Sequence, residues 1–438
     1  MKRSVTVLSI LVLGMALEVR TPAAFAQLEP MRPREEAPFE LSASQEFDPG
    51  GQPLLVASTS IPYRWLVFFV RQTTFESRYR VYMELKDGRG KSVRGEVWEE
   101  TVSAVDFKET SSPTIAATSR RSFPVNAGDY RVAVTIEVID TSRRFSREQN
   151  VRIVGQGEGM LGVSAPVFYT VAGDSAASRP PPGRFVVSRC RTEDVRSLRI
   201  NPGAVYGDFE SWARLVYTVA TPVDREANVL VTRVRDSRGR VILYNRTLLG
   251  AGEGGHFTAC VDMNLDAFML GQYEVNAVVE GAARTGTGMS RGSFTVLLNR
   301  GLLDARFGDL VEIITPIAGD AEREAFAKTP ADERRRAWAD FWRRHDPTPS
   351  TGVNEAYGEF LERFRVVVKS FSKFKPGWRT DMGTVYLRDG PPDKVEDRQD
   401  SALGRSFQLW YYHSKGLVYI FEDSIGNGDY RLFSTEMI

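Results

Sequence analysis

Apolar and polar residues alternate in short runs along most of the first 300 residues. The segments RYRVYMELKD, DYRVAVTIEVID, NVLVTRVRDSRG and GQYEVNAVVEG place apolar residues at every second position, the period of a strand with one buried face. Gly, Asp and Ser turn residues separate these runs, and no long amphipathic helix pattern lies between them. The pattern predicts two antiparallel β-sandwiches, at residues 39–175 and 184–300.

The two predicted sandwiches share sequence features. DGRG at 87–90 follows VYMEL, DSRG at 236–239 follows VLVTRV, and AGDYRVAVTIEV corresponds to LGQYEVNAVVEG. Asp and Gly are common in any hairpin turn, but the shared order and similar separations favour two related, Ig-like sandwiches. The segment between them, residues 176–183, contains three prolines and predicts a stiff extended linker.

Beyond residue 300 the apolar period becomes helical. The segment TPADERRRAWADFWRRHDP predicts a helix capped by Thr329, with an apolar stripe that includes Trp338 and Phe341. A second helix is predicted from 354 to 371. The segments GTVYLRD, SFQLWYYH, GLVYIFED and DYRLFST read as strands of a small antiparallel sheet. Residues 301–438 are therefore expected to form an α+β domain with two helices.

The N-terminus has the organisation of a secretory signal peptide. Lys2 and Arg3 precede an apolar run from Val5 to Leu17, and Ala24-Phe25-Ala26 provides a small-residue cleavage site. We therefore expect residues 1–26 to be removed after Ala26 and residues 27–38, rich in proline and charge, to form a linker. The mature chain is expected in the periplasm or outside the cell, without a membrane span or anchor.

Charge and cysteine content narrow the function classes. The 57 Lys and Arg residues nearly balance the 56 Asp and Glu residues, so nothing favours binding to nucleic acid. Cys190 and Cys260 are the only cysteines; in an oxidising compartment they are a candidate disulfide, with two buried thiols as the alternative. Three scattered histidines, and the lack of HExxH, GxSxG and P-loop motifs, give no reason to expect a metal or cofactor.

The pentapeptide GWRTD is the sharpest candidate site. It comprises Gly377, Trp378, Arg379, Thr380 and Asp381. In a structural interpretation Trp378 anchors a corner, and Thr380 or Asp381 caps the following turn. Asp381 then accepts backbone hydrogen bonds or pairs with Arg388.

The functional interpretation adds residues downstream of the pentapeptide. Arg388, Gly390, Pro391 and Asp393 form the next corner, and Trp410 lies in a predicted strand of the same domain. If Arg379, Asp381, Arg388 and Asp393 converged beside Trp410 and Tyr412, a groove of aromatic and carboxylate groups would suit carbohydrate or acid–base catalysis.

The segment GWRTDMGTVYLRDGPPDKVE resembles the signature of the GWxTD domain-containing proteins, a family of exported bacterial proteins. The upstream elements FW, DPTP and NE resemble the lead-in to that signature, and the resemblance extends over about residues 304–438. Asp389 stands where the family commonly has Tyr. The resemblance implies export and a domain fold but no established reaction, and it marks Gly377, Trp378, Thr380 and Asp381 as signature residues.

The sequence favours a non-enzymatic scaffold or interaction protein of the cell envelope, with a protein or envelope polysaccharide as partner. Two alternatives remain at this point. One is an envelope hydrolase that uses carboxylates near Asp381, and the other is a carbohydrate-binding sandwich with a row of exposed aromatic side chains on one sheet face.

Overall fold

The computed structural model describes most of the chain between residue 38 and the C-terminus. The described ranges are 38–48, 52–112, 115–154, 162–170, 186–190, 195, 198–221, 227–251, 255–280, 290–350, 354–400 and 405–438. The predicted signal peptide at 1–26, residues 27–37 of the first linker and the linker at 176–183 lie outside these ranges.

Two sheets enclose the first core and form the first sandwich. One sheet contains β1 (Glu40–Phe47), β2 (Pro53–Pro62) and β6 (Ala116–Pro124), in the order β1-β2-β6. The other contains β3 (Phe69–Arg71), β4 (Thr74–Asp87), β5 (Ser92–Ala104), β7 (Gly128–Val138) and β8 (Arg144–Ile153), with β5 paired to β4 at the sheet edge. The inward positions alternate along β4 and β7, as the period of two predicted.

A second pair of sheets forms the second sandwich. One sheet contains β9 (Gly162–Val163), β10 (Val167–Thr170), β11 (Val186–Arg189), β12 (Arg199–Ile200), β14 (Trp212–Thr221) and β17 (Gly255–Asn264). The other contains β13 (Val205–Tyr206), β15 (Ala227–Asp236), β16 (Val241–Ala251), β18 (Gly271–Glu280) and β19 (Ser290–Val296). Because β9 and β10 both pair with β14, residues 162–170 belong to the second sandwich and not to the predicted first domain, 39–175.

The predicted repeat is visible in the geometry of two hairpin turns. In the first turn the Asp87 carboxylate accepts the N–H groups two and four residues ahead at 2.9 and 3.0 Å, and Gly90 has φ +83°. In the second turn the Asp236 carboxylate accepts the equivalent N–H groups at 3.0 and 2.9 Å, and Gly239 has φ +77°. Glycine suits this left-handed position because it has no Cβ.

A pair of tyrosines extends the repeat. The Tyr130 hydroxyl donates to the carbonyl of Asn126 at 3.0 Å, and the Tyr273 hydroxyl donates to the carbonyl of Met269 at 2.8 Å. Both tyrosines lie near the start of equivalent strands, since the strand orders β5-β4-β7-β8 and β16-β15-β18-β19 match. Two corresponding sheets therefore share turn, corner and strand order.

The two cysteines of the chain form a disulfide in the second sandwich. Cys190 follows β11 and Cys260 lies in β17, and their Cα atoms are 5.7 Å apart. The bond closes a loop of 70 residues, which by the chain-entropy model stabilises the folded state by about 4 kcal/mol.

In the described residues of the C-terminal domain, 300–350, 354–400 and 405–438, six helices combine with an antiparallel sheet. The helices are α1 (Arg300–Asp304), α2 (Phe307–Ile314), α3 (Asp320–Ala327), α4 (Arg334–Arg344), α5 (Glu355–Ser370) and α6 (Asp381–Asp389). The sheet contains β20 (Lys394–Asp400), β21 (Arg405–Tyr412), β22 (Leu417–Asp423) and β23 (Arg431–Met437), in that order. The expected α+β organisation is confirmed, with more helices than predicted.

Three local predictions in this domain were wrong. GTVYLRD, predicted as a strand, lies in α6, because Thr380 caps a helix there and Met382, Val385 and Tyr386 are buried at helical spacing. The helix α4 begins at Arg334, and Thr329 makes no cap, because a turn over residues 331–333 precedes the helix. Helices α1 to α3 were not predicted at all.

The apolar cores divide the chain differently from the sandwiches. The first sandwich has its own core, whose buried members among the described residues lie between Phe39 and Ile153. The second sandwich and the C-terminal domain share one continuous core, which runs from Val163 in β9 to Tyr430. Residues 162–438 therefore form one packed body at the level of side chains.

Candidate functional site

The GWRTD segment begins as a tight turn inserted between helices. Gly377–Arg379 forms a single 3₁₀ turn, and a Cβ on Gly377 would lie 2.1 Å from the carbonyl oxygen of Val367 in α5. Trp378 is 4% exposed, and its ring lies 5.8 Å from that of Phe364, centroid to centroid. These two positions therefore hold the turn against α5: glycine permits the backbone approach and tryptophan fills the core.

Thr380 starts the helix that follows the turn. Its hydroxyl oxygen accepts the N–H of Gly383 at 2.9 Å and donates to the carbonyl of Gly377 at 2.7 Å. This is an N-cap, which satisfies an N–H group that α6 cannot satisfy internally. Position 383 requires glycine, because any other residue would place its Cβ 1.9 Å from the Gly377 carbonyl oxygen. The buried Thr380 side chain is thus committed to local structure.

The two charged residues of the pentapeptide bind different parts of the domain. The Asp381 carboxylate accepts the backbone N–H of Leu432, at the start of β23, at 2.8 Å. Arg379 donates to Asp309 at 2.9 Å and to Glu312 at 2.5 Å, both in α2. Hydrogen bonding to Glu312 raises the pKa of Arg379 above its ordinary value. The signature therefore connects a helix on one side with the last strand on the other.

The C-terminal end of α6 carries a compact ion-pair network. Arg388 and Lys415 donate to the Asp389 carboxylate at 3.0 and 2.8 Å, and Arg388 also donates to the Tyr419 hydroxyl at 2.9 Å. Burial of Asp389 opposes its ionisation, but the hydrogen bonds from Arg388 and Lys415 outweigh burial and hold its pKa below the usual value. The predicted pairing of Asp381 with Arg388 is not present.

The corner after α6 is closed by backbone contacts. Gly390 has φ +80° and ends the helix, and its carbonyl accepts the hydroxyl of buried Tyr412 at 2.8 Å. Pro391 follows as an exposed residue. The Asp393 carboxylate accepts the N–H of His413 at 2.6 Å. The glycine is required here by its left-handed conformation at a helix end.

Trp410 faces the helices and is fully buried. Its indole N–H donates to the Gln408 side chain at 2.8 Å, and its ring lies 5.0 Å from Phe421 and 5.8 Å from Phe371. An aromatic side chain in this position packs the sheet onto the helices and offers no face to a ligand.

The structure does not bring the candidate carboxylates together. Asp381 contacts β23, Asp393 precedes β20, and these strands are the opposite edges of the four-stranded sheet. Asp393 is held at the end of β21 by the N–H of His413, whereas Asp381 is held at β23 by the N–H of Leu432. Each carboxylate is thus engaged by a backbone N–H of a different strand region.

Sequence reasoning missed the roles of two residues that the site depends on. Asp389 is the centre of an ion-pair network, and Leu432 supplies the amide that Asp381 binds. The spacing of Gly377 and Gly383 around Thr380 was a signal for a capped helix packed closely on the preceding turn. Nothing in the sequence indicated that Asp381 would reach a strand 51 residues away.

An exposed apolar strand lies next to the signature. The edge strand β23 carries Leu432, 41% exposed, Phe433, 62%, and Met437, 89%; Ile438 follows at 58%. The Phe433 ring contacts that of Phe407, 5.9 Å away. The pentapeptide contacts this strand through Asp381, which holds its first part by the N–H of Leu432.

The described ranges show no sign of a metal site, a membrane-spanning helix or a row of exposed aromatic side chains. No group of three or more His, Cys, Asp and Glu residues there could hold a metal ion. No helix in the same ranges is long and apolar enough to cross a membrane. The exposed aromatic side chains of the two sandwiches within them are separated: Phe69 and Phe107 lie on the first and Tyr244 on the second.

Comparison with known proteins identifies one domain. The family model of the GWxTD domain matches residues 304–432, which agrees with the resemblance read from the sequence. Among curated proteins no match is found.

Similarity to solved structures is weak. A red sea bream transglutaminase is 8% identical, with a TM-score of 0.18, over 60% of this chain and 32% of its own. A glycosyl hydrolase family 2 member from Bacteroides cellulosilyticus is 9% identical, with a TM-score of 0.21, over 55% and 28%. Alpha-2-macroglobulin from Escherichia coli is 10% identical, with a TM-score of 0.18, over 60% and 22%. The chain thus spans less than a third of each of these proteins, and none of them carries an argument about function.

Proposed function

We propose that this chain, which carries a GWxTD domain at residues 304–432, is an exported scaffold protein of the bacterial cell envelope that binds a protein partner. One observation carries the proposal: Asp381 of the signature holds the backbone of β23 at Leu432, and this strand exposes Leu432, Phe433 and Met437. The GWxTD signature then builds a docking surface and performs no chemistry itself.

The docking surface consists of Leu432, Phe433, Met437 and Ile438. Exposure of large apolar side chains to water on an edge strand is unfavourable. Such side chains are typical of surfaces that another protein covers. A polysaccharide would instead favour a row of aromatic rings, so a protein is the favoured partner.

Export is the second element of the proposal. Two features support it: the signal-peptide pattern of residues 1–26 and the Cys190–Cys260 disulfide, which is typical of oxidising compartments. Export also accommodates the two related, Ig-like sandwiches, which act as spacers between the N-terminal linker and the GWxTD domain. Intact mass measurement of the protein recovered from an envelope fraction should give a chain that begins at Gln27. A chain that retains residues 1–26 would contradict export by cleavage.

The docking surface is tested by pull-down from envelope extract. Phe433→Glu should abolish recovery of the specific partner at an unchanged melting temperature, because the ring is largely exposed. The matched control is Phe107→Glu, a residue with similar exposure on the first sandwich, which should retain the partner. If Phe433→Glu retains the partner, or if both variants lose it equally, the proposed surface is wrong.

A further inference from the structure

The edge strand β16 of the second sandwich exposes apolar side chains along its outward face. Ile242 is 43% exposed, Tyr244 54% and Leu248 67%, and they alternate with half-buried residues. Among the strands that the structure describes, β16 pairs with β15 alone, on one side. It thus offers a partner a row of backbone groups and a row of apolar side chains at once.

The central part of β16 is regular enough to accept another strand. Register shifts in its pairing with β15 occur on either side of residues 243–248, next to Ile242 and Leu249, and the six residues between them pair without interruption. The side chains on the outward face are held in place. Arg233 lies over the Tyr244 ring at 5.3 Å, and Arg246 pairs with Glu280 at 3.0 Å.

The outward face of β16 is complementary to itself. When two copies of the strand pair antiparallel about Asn245, Ile242 of each copy faces Leu248 of the other. Tyr244 then faces Arg246, a pairing that combines apolar contact with a cation–π interaction. Moving the centre by one residue, to Arg246, would place two arginines opposite each other. The order of residues along the strand therefore favours one register.

The equivalent edge strand in the first sandwich lacks this property. β5 follows the matching turn and, among the described strands, also pairs on one side only. Its outward face has Gly95 between the exposed Val93 and Val97, and the ion-paired Glu99 follows Val97. Two strands related by the repeat thus differ in the feature that self-pairing requires, which makes β5 an internal reference.

We propose that the occupant of the β16 edge is a second copy of this chain, so that two second sandwiches join through antiparallel β16 strands into one continuous sheet. The paired stretch, residues 242–248 of each copy, is seven residues or about 23 Å long, and its central residues 243–247 lie in the regular part of β16. An interface of this size gives a weak, concentration-dependent dimer. A two-fold axis passes through Asn245, so each substitution enters the interface twice.

The test is sedimentation of the purified mature chain over a concentration series. The wild type should form a dimer. Leu248→Lys should raise the dissociation constant at least about 100-fold, because two buried charges enter each dimer. The matched control, Val97→Lys on β5, where Val97 is 58% exposed, should leave the constant unchanged. Both variants should keep the wild-type melting temperature.

The register is tested by oxidative cross-linking. Asn245→Cys places two thiols opposite each other across the axis, within reach of a disulfide, since directly opposed Cβ atoms are about 5 Å apart. A covalent dimer should therefore form. A monomer at all concentrations, an equal effect of Val97→Lys and Leu248→Lys, or a dimer in which Asn245→Cys does not cross-link would each overturn the proposal.

Discussion

The two joints of this molecule are built in opposite ways. The second sandwich meets the GWxTD domain through a shared apolar core, in which Phe209 packs edge-on against Trp338 at 5.5 Å. The buried Asn299 side chain adds hydrogen bonds to the carbonyls of Leu265 and Phe268 at 2.6 and 2.8 Å. Such a joint resembles the interior of a single domain, and neither side can open without exposing apolar surface.

The first sandwich meets the rest of the chain through polar contacts. Arg64 pairs with Glu362 in α5, and Glu40 pairs with Arg365 in the same helix. Two clefts of about 530 and 440 Å³ lie along this joint, where side chains do not fill the space. The chain therefore has two mechanical units, the first sandwich and the described residues of 162–438, although its sequence indicates three domains.

The largest expected effect comes from crowding the signature turn. Gly383→Ala places a Cβ 1.9 Å from the Gly377 carbonyl oxygen, so α6 must move. The free energy of unfolding of the unit formed by the second sandwich and the GWxTD domain should fall by at least about 3 kcal/mol. Urea denaturation measures the loss. The matched control is Gly308→Ala in α2, where a Cβ meets no atom within 4 Å, and it should not be destabilised. Equal stability of both variants would contradict the tight packing of the signature.

A cavity in the shared core should weaken both sides of that joint. Phe209→Ala removes a buried ring from the second sandwich and should cost about 3 to 5 kcal/mol. Hydrogen exchange should accelerate in β15 and β18 and equally in α4, while the first sandwich remains protected. Phe107→Ala, at a largely exposed ring, provides the control. Loss of protection in the second sandwich alone would contradict a core that the two sides share.

The buried ion pairs of Asp389 should contribute more to the free energy of unfolding than the ion pairs of the polar joint do. Asp389→Asn should reduce the free energy of unfolding by about 1 to 2 kcal/mol at pH 6. Because the folded-state pKa is lowered, this stabilisation is present above the unfolded pKa of about 3.9 and is lost as the pH falls through the lower folded value. The difference in free energy of unfolding between the two proteins should therefore shrink as the pH falls below about 3.9. Urea denaturation above and below this pH provides the check; a constant difference would contradict the network.

The smallest change in stability is expected at the polar joint. Glu362→Gln weakens the Arg64 contact of a partly exposed carboxylate and should cost less than about 1 kcal/mol. Small-angle scattering should nevertheless show a larger radius of gyration, since the first sandwich gains freedom. Glu322→Gln, which weakens the Arg344 ion pair inside the GWxTD domain, should leave the radius unchanged.

Local features of the fold were predictable from the sequence because their causes are local. The turns at Asp87 and Asp236 depend on an aspartate and a glycine within four residues, and α4 and α5 have clear helical periods. The error at residues 383–389 arose because Thr384, Val385 and Tyr386 favour strands, whereas the Thr380 cap and the packing of buried helical positions stabilise a helix. Tertiary contacts outweighed the intrinsic propensity.

The missed features depend on contacts between distant residues. Phe307, Leu310 and Ile314 have helical spacing in α2, but the helix is only eight residues long and its burial depends on the second sandwich. Likewise, the sequence identified GWRTD as special without showing whether Asp381 would face solvent or a strand. A pattern within one segment shows which side chains are buried, but not what buries them.

Native-state hydrogen exchange in increasing urea, followed by mass spectrometry, shows whether the second sandwich and the GWxTD domain unfold as one unit. If residues 162–438 share one core, peptides from β14 to β18 and from α4 to α6 should open at the same urea concentration, and peptides from β4 and β7 at a different one. If the GWxTD helices open while the second sandwich stays protected, the two are separate domains and do not form one unit.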